Sequence, residues 1–410
     1  MTRISILGLH YNPEPSGNAP YTSSLAVGLA RRGHDVGVLT GFPHYPEWKI
    51  ADGYTGWSRQ ETLDGVSVKR LRHHVPPRPS ALSRLHMEFS FGARLITSRW
   101  GRPEVVVMVS PALFSTSLAV LRARLSPRRP SVAIWVQDIY SRGLVETAGA
   151  KGFSAKFAAR IEGWILSRAD GVVVIHDRFR DYLVNTLGIS AANVSVIRNW
   201  THLPARPETG QTEFRAKMGW LPDDFVVLHA GNMGKKQGLE NAIEAAAIAE
   251  HRGSSVRFVL MGDGNQRRRL EDLALGKTKI SFIDSLPDDD FQLALTAADA
   301  LLVNELPGVK DMSVPSKLTS YFNAGRPVIA ATDESSVTAH EIDRSGGGIR
   351  VDAAAPSALV SSAEALRADE NWARNLGSQG LRYRYETLSE EAAIGHYDEF
   401  ITSLATSRSR

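Results

Sequence analysis

Cysteine is absent from all 410 residues. The chain therefore has no disulfide framework, no thiolate metal site and no cysteine nucleophile, and it suits a reducing compartment. Long apolar runs are also lacking. Runs such as Val105–Val109 fall far short of the roughly 20 residues that cross a bilayer. The opening MTRISILGLHYNPEP enters directly into a strand-like run, without the basic, apolar and small-residue succession of a signal peptide. The first strand is not followed by G-x-G-x-x-G, and the second ends in Thr40-Gly41 with no acid to hold a ribose. That pattern argues against a dinucleotide site of the NAD type. Low-complexity segments and internal repeats are missing too.

What is present is an ordinary globular composition, 43% apolar and 22% charged, with a length that suggests two domains. The charge is unevenly shared. Residues 1–200 hold 25 Lys and Arg against 14 Asp and Glu, a net +11, and residues 201–410 hold 23 against 30, a net −7. A basic first half fits an anionic partner, such as a phosphorylated substrate or an acidic membrane face, or simply solvated helices. Nucleic acid is disfavoured, because the basic residues are scattered and carry no motif with interleaved aromatics.

Short apolar strands alternate with helices. Arg3–Leu9, Val36–Thr40, Val66–Leu71, Val105–Val109, Val132–Val136, Val172–Ile175 and Val194–Ile197 read as strands of the first half. Phe225–Ala230, Val256–Met261, Ile280–Ile283, Ala300–Val303 and Pro327–Ala330 repeat the plan. Such strands imply α/β architecture with parallel sheets buried on both faces. Leu203–Asp224, with Pro204, Pro207, Gly210 and Pro222, reads as a linker. The expectation is two doubly wound, Rossmann-like domains facing across a cleft, 1–203 and 204–388, with a terminal helix in 389–410 returning to the first. Ligands of such sheets bind beyond the carboxyl ends of the strands.

Four loops sit at those ends. Tyr11–Pro20 places Gly17 and Asn18 before a helix, where backbone N–H groups can approach a phosphate or a sugar, or where the segment is only a turn. Gly41–Trp48 carries Phe42, His44, Tyr45 and Trp48, which suit sugar stacking or a small core under the loop. Trp135–Gly143 delivers Gln137 and Asp138 at a strand end; Asp138 either orients or deprotonates an acceptor hydroxyl, or it caps the turn. Gly231–Gly238 (GNMGKKQG) is a glycine-rich loop with Lys235 and Lys236, and Ser313–Pro327 starts a helix at Pro315 and Ser316 with Lys317 in its first turn. A lysine there opposes the helix dipole unless it meets an anion that the free N–H groups also hold. A departing diphosphate is such an anion.

Together these stretches resemble the retaining GT-B glycosyltransferases of family 4. They look most like the subgroup that builds colanic-acid-type, capsular or O-antigen polysaccharides in bacteria. The carriers are Tyr11–Trp48, WVQDIY at Trp135–Tyr140, NW at Asn199-Trp200, GNMGKKQGLENAI at Gly231–Ile243, MGDGNQRRRLE at Met261–Glu271 and VPSKLTSYFNAGRPVIA at Val314–Ala330. The resemblance implies transfer of a sugar from a nucleotide-diphosphate donor with retention and without a metal or other cofactor, the donor phosphate taking the acceptor's proton. It implies a basic acceptor domain, a donor-binding second domain and a lipid-linked glycan acceptor. The net +11 of the first half adds the expectation of a cytoplasmic enzyme docked peripherally on the inner face of the plasma membrane. Arg78, Arg84, Arg94, Arg99, Arg122, Arg124, Arg128 and Arg129, near the helix Leu82–Ile96, are the candidate lipid contacts.

On this reading Asp138 and Lys317 carry the catalysis. Gly17 and Asn18, Gly231, Asn232, Lys235, Lys236 and Gln237, then Gly262 and Asp263, Ile283 and Leu286 form the donor site. Asp311, Ser313, Val314, Ser316 and Ser320 complete it. The sequence departs from the family where paired glutamates would stand, at Met312 and Ser320, and where an arginine and a lysine flank the phosphate loop, near Asn232 and Gln237. Lys317, Lys235 or Lys236 must then supply the cation, with Asp311 as substitute carboxylate for sugar hydroxyls. A sugar-nucleotide epimerase of the same architecture and a non-catalytic sugar-nucleotide-binding subunit remain as alternatives.

Overall fold

The structure is a computed structural model, and it describes residues 1–15, 17–77, 81–110, 112–141, 153–200, 206–308 and 316–407. The chain divides into two compact units, Met1–Trp200 with Glu390–Arg410, and Thr201–Ser389.

The first unit holds β1 (Arg3–Leu7), β2 (Asp35–Gly41), β3 (Ser58–Leu63), β4 (Val66–Leu71), β5 (Val105–Ser110), β6 (Ser131–Val136), β7 (Gly171–Val174) and β8 (Val194–Val196). They form one sheet in the order β3-β4-β2-β1-β5-β6-β7-β8. Every residue of β5 and of β6 is buried, as strands covered on both faces require. The sheet is parallel except for β3, which pairs antiparallel with β4. The sequence reading lacks β3 because SRQETL has no apolar alternation. The signal lay in the turn instead, since Asp64 and Gly65 both take positive φ, the two-residue hairpin that suits Asp-Gly. The helices are α1 (Ala19–Arg31), α2 (Ala81–Thr97), α3 (Leu113–Leu125), α4 (Phe153–Leu166) and α5 (Asp177–Asn185).

The second unit holds β9 (Phe225–Ala230), β10 (Val256–Met261), β11 (Ile280–Ile283), β12 (Ala300–Asn304), β13 (Val328–Ala331) and β14 (Gly348–Val351), in the parallel order β11-β10-β9-β12-β13-β14. Its helices are α6 (Gln211–Lys217), α7 (Glu240–His251), α8 (Arg267–Ala274), α9 (Asp288–Ala297), α10 (Ser316–Ala324), α11 (Val337–Ser345), α12 (Pro356–Ala368) and α13 (Glu370–Thr387). α6 lies inside the stretch read as linker. Glu213 in its first turn and Arg215 and Lys217 in its last complement the dipole, and Phe214 packs edge-on against Trp220 at 5.8 Å.

The last helix, α14 (Glu390–Ser407), belongs to the first unit. Ser131 Oγ donates to the Leu404 carbonyl at 3.0 Å, and Tyr397 packs 5.2 Å from Trp135. Trp135 in turn stacks on Trp200 at 6.1 Å. Gly28 makes room for this helix, because a Cβ there would stand 2.2 Å from Ile394 Cδ1. Two of the aromatic residues that carry the family resemblance thus serve the core.

Each sheet has one place where the strand order reverses, β1/β5 in the first unit and β9/β12 in the second. The chain leaves the two central strands there in opposite directions, which opens a crevice at their carboxyl ends.

Candidate functional site

At the β9/β12 crevice the backbone after β9 is built to come close to a ligand. Gly231 has φ 119° and Gly262, after β10, has φ 130°, values that side-chain-bearing residues rarely take. The two loops touch: a Cβ on Gly262 would lie 2.2 Å from the Gly231 carbonyl oxygen. Met233 N–H donates to Asp263 O and Gln266 N–H to Met233 O, at 2.8 and 3.0 Å. Asn304, at the end of β12, donates through Nδ2 to the carbonyls of Gln237 and Gly238. The loops after β9, β10 and β12 are therefore one hydrogen-bonded platform.

Lys317 reaches this platform from the first turn of α10. Its Nζ would stand 3.7 Å from a Cβ on Gly231, and it donates to Nε2 of His229 at 3.1 Å. His229 is fully buried near the end of β9, with Nδ1 3.3 Å from the Leu302 carbonyl. Burial, then the Lys317 charge, holds its imidazole far below the usual range, so it is neutral. Neutral imidazole bonded through Nδ1–H to a carbonyl offers the lysine its Nε2 lone pair. Burial lowers Lys317 to about 8, partly opposed by the Glu305 carboxylate. Glu305 itself accepts from Thr332 Oγ1 and from Thr338 Oγ1, the latter at 2.5 Å. Tyr321 pins α10 to the sheet, its hydroxyl accepting from Ala230 N–H at 2.8 Å. Sequence reasoning missed His229 and Glu305. The available signal was a titratable residue near the carboxyl end of an otherwise apolar strand, His229 in β9 and Glu305 just past β12.

Other expected residues are placed differently. Lys235 and Lys236 are exposed on the one-turn 3-10 helix Lys235–Gln237, which precedes α7, rather than on a helix start. Gln237 spends its side-chain oxygen on Gly234 N–H at 3.0 Å, closing the loop. Asp263 is exposed and its Oδ1 takes the N–H of Gly264 at 2.7 Å. Asn232 is exposed beside it, and Gly262 N–H donates to the Ile283 carbonyl. The side chains of Ile283 and Leu286 pack on the edge of the core. Ser316 begins α10 and Ser320 is half-buried one turn on. Asp311, Ser313 and Val314 lie outside the described residues.

At the β1/β5 crevice the chemistry is different. Gly17 takes φ 69° and Asn18 stands at the N-cap of α1 without a side-chain cap bond. Ahead of them Glu14 is buried, its Oε1 accepting from the N–H groups of His44 and Tyr45 at 2.8 and 2.9 Å. Its Oε2 stands 2.6 Å from Nδ1 of His10. Phe42 and His44 are buried, so the Gly41–Trp48 loop is largely a satellite core, leaving Tyr45 and Trp48 half-exposed. His10, Glu14 and His44 offer ligand atoms within 4.8 Å of one another. The rings of His10 and His44 stack with centroids 5.2 Å apart, 26° from parallel.

One strand further out, Asp138 is exposed at the end of β6 and accepts from Ile139 N–H at 2.8 Å, as a turn-forming aspartate does. Gln137 is tied to Asn199 by two reciprocal amide bonds. Below Asp138, buried Glu162 accepts from the N–H groups of Tyr140 and Ser141 and from Ser141 Oγ.

Of the basic residues, Arg84 lies over Trp48, Arg94 over Trp57 and Arg122 over Trp100, and Arg124 pairs with Asp170. Arg78 lies outside the described residues. Arg99, Arg102, Arg122 and Arg128 line a groove of about 970 Å³ in the loops that enter β5 and β6. That edge of the sheet is opposite the strand ends bearing His10 and Asp138. Among the described residues no helix is long and apolar enough to cross a membrane.

Comparison with known proteins agrees with this architecture. Residues 16–200 match the family described as glycosyl transferase 4-like domain, and residues 210–382 match glycosyl transferases group 1. WcaI of Escherichia coli (strain K12), described as a colanic acid biosynthesis glycosyl transferase, is 31% identical over 335 residues, 79% of this chain and 81% of its own. The chain belongs to the glycosyltransferases, and it is one. Among solved structures, a sucrose-phosphate synthase from Thermosynechococcus elongatus aligns with TM-score 0.71 at 18% identity, over 99% of this chain and 100% of its own. Anabaena HepE in complex with UDP-glucose aligns with TM-score 0.66 at 16% identity, over 98% of this chain and 100% of its own. The fold is that of the GT-B glycosyltransferases.

Proposed function

We propose that this glycosyltransferase moves a sugar from a nucleotide-diphosphate sugar to a hydroxyl of a polyprenyl-diphosphate-linked glycan in bacterial polysaccharide assembly, with retention and without a metal. The observation that carries the donor half is Lys317, a half-buried cation set against the Gly231 backbone at the β9/β12 crevice. A diphosphate there would meet the Lys317 ammonium and the N–H groups that begin α10, and the charge that develops as the glycosidic bond breaks would fall on them. WcaI's description supports a polysaccharide acceptor, and the UDP-glucose complex of HepE supports a nucleotide-sugar donor. Asp138 stands exposed just past the end of β6, at the side of the sheet where acceptor hydroxyls are expected.

Thermal shift with a panel of UDP-, GDP- and dTDP-sugars, with and without EDTA, tests the donor half, because a bound ligand stabilises by mass action. Nucleotide release with and without a lipid-linked acceptor tests the rest. Release that rises only with the acceptor supports transfer, and NMR of the product reads the anomeric configuration. Stabilisation by none of the panel would overturn the donor assignment.

A further inference from the structure

At the β9/β12 crevice stands a histidine that solvent does not reach. We propose that His229 is the positioning residue of Lys317: its imidazole tethers the ammonium through an uncharged acceptor, so that the cation is fixed and its whole charge is left for a diphosphate. The proposal rests on the reading of Lys317 as the partner of the donor's diphosphate, and its test separates the two.

His229 is the fifth residue of β9, and Lys317 is the second of α10. β9 pairs with β10 on one side, Leu260 beside His229, and with β12 on the other. The imidazole thus leaves a strand held on both edges, and its Nδ1 stands 3.3 Å from the Leu302 carbonyl of β12. Nζ of Lys317 is 3.1 Å from its Nε2. An ammonium only donates, so Nε2 carries the lone pair and Nδ1 the ring's proton, which the Leu302 carbonyl accepts. α10 is held independently of this bond. Tyr321, one turn after Lys317, accepts from Ala230 N–H at 2.8 Å, and its hydroxyl lies 3.3 Å from the Ala230 and Leu302 carbonyl oxygens. Loss of the imidazole would leave the helix on the sheet and free only the end of the lysine.

That the tether is neutral decides what it is good for. A free lysine loses much rotamer entropy when a ligand fixes it, and a partner that fixes it beforehand removes that cost from binding. A carboxylate in the place of Nε2 would fix it too, but would cancel the charge that an anion needs. A neutral imidazole occupies one of the three ammonium hydrogens and cancels nothing, which leaves two for phosphate oxygens. Burial, and then the Lys317 charge itself, keep His229 neutral. The nearby carboxylate of Glu305 is engaged by the hydroxyls of Thr332 and Thr338. On the open side stands Gly231, whose missing Cβ leaves the Lys317 Nζ uncovered.

The test uses the full chain, titrated by calorimetry with UDP, GDP and dTDP as probes. His229→Leu removes the acceptor and should weaken the tightest of the three about tenfold, as loss of a hydrogen bond to a charged group does. His229→Gln, whose side-chain oxygen can take the same ammonium hydrogen, should stay within about threefold of the wild type. In a Lys317→Ala chain His229→Leu should change affinity by less than about twofold, because the histidine acts through the lysine. Nitrogen-15 NMR should place the wild-type His229 proton on Nδ1. The leucine variant can fail to fold, so His229→Asn, which keeps a donor for Leu302 but is too short to reach the lysine, carries the same expectation. Equal loss in both backgrounds would make His229 a packing residue and overturn the proposal. Unchanged affinity without the acceptor, or a wild-type proton on Nε2, would overturn it as well. A Lys317→Ala chain that binds like the wild type, or a wild type that binds none of the three, would instead sink the donor reading, and the tautomer alone would then uphold or overturn the tether.

Discussion

The two units solve one folding problem in the same way and then part in chemistry. Each is a parallel sheet whose strand order reverses once, and each gathers its unusual residues at that reversal. In the second unit the reversal is lined by backbone: Gly231 and Gly262 at positive φ, hydrogen-bonded loops and one lysine over them. In the first it is lined by side chains that hold or accept a proton, His10 against Glu14, with buried imidazoles behind. Glycine backbone and an ammonium suit an anion whose charge is fixed, whereas the first unit's crevice is built from a buried carboxylate and the imidazoles around it. The fold supplies the crevice and the residues decide what it is for.

The largest expected effect is on the anion side. Lys317→Ala should cost about 2–4 kcal/mol of transition-state stabilisation, as loss of a preorganised charge does, read as a fall in transfer with weaker nucleotide binding. Its pH dependence sharpens the point. Lys317 is lowered to about 8 by burial, and a bound diphosphate favours its charged form. Nucleotide affinity should therefore be full below about pH 8 and fall as pH rises through it. Stability of the empty chain runs the other way, rising between about 8 and the ordinary 10.5 because the unfolded lysine keeps its proton longer. Titration by calorimetry across pH 7 to 10 checks both, and an affinity that is flat with pH would remove Lys317 from the diphosphate.

A smaller effect is expected from the backbone. Gly262→Ala would put a methyl 2.2 Å from the Gly231 carbonyl oxygen at φ 130°, so a loop must move. Overpacking of this kind costs about 1–3 kcal/mol. The melting temperature should drop and nucleotide affinity with it. A variant as stable and as tight as the wild type would mean that the two loops are not a rigid platform.

Both crevices were partly legible in the sequence. Val256–Met261, Phe225–Ala230 and Val66–Leu71 have the bounds the sequence suggests, because buried apolar runs between turn residues are a strong local signal. β3 was not legible, since an exposed edge strand needs no apolar face; nor was α6, a short helix between Pro207 and Pro222 held by Phe214 packing on Trp220. At the sites, glycines and Lys317 were legible because their placement is locally unfavourable without a ligand. His229, Glu305 and the His10–Glu14 bond were not. Their meaning lies in a contact across the sheet or around a turn, which no spacing along the chain announces. Gln237 failed for the opposite reason: it satisfies its own loop.

On the acceptor side Asp138→Asn tests whether the carboxylate just past β6 serves the transfer. Asparagine keeps the bond to Ile139 N–H and removes the charge. Transfer should fall about tenfold, roughly 1.4 kcal/mol, with donor affinity intact. Unchanged transfer would leave Asp138 a turn residue.

The smallest expected effect concerns where the first unit's excess charge acts. Eight arginines suggested a docking face, but Arg84, Arg94 and Arg122 lie on tryptophans and Arg124 on Asp170. Arg99, Arg128 and Arg129 remain exposed, and Leu121 and Leu125 on α3 are exposed as well. Each basic residue near an anionic leaflet is worth about 1 kcal/mol, so three of them give weak, salt-sensitive attachment rather than anchoring. Sedimentation with phosphatidylglycerol vesicles should retain the chain at low salt and release it at high salt, and neutral vesicles should not retain it. Replacing Arg99, Arg128 and Arg129 together by serine should abolish retention while nucleotide affinity, a property of the other unit, is unmoved. Because these residues enter the strands rather than leave them, such attachment would face the crevice of the first unit away from the leaflet. An acceptor sugar, not its lipid, would then be what Asp138 meets. Indifference to lipid charge would instead assign the arginines to solubility and to their tryptophans.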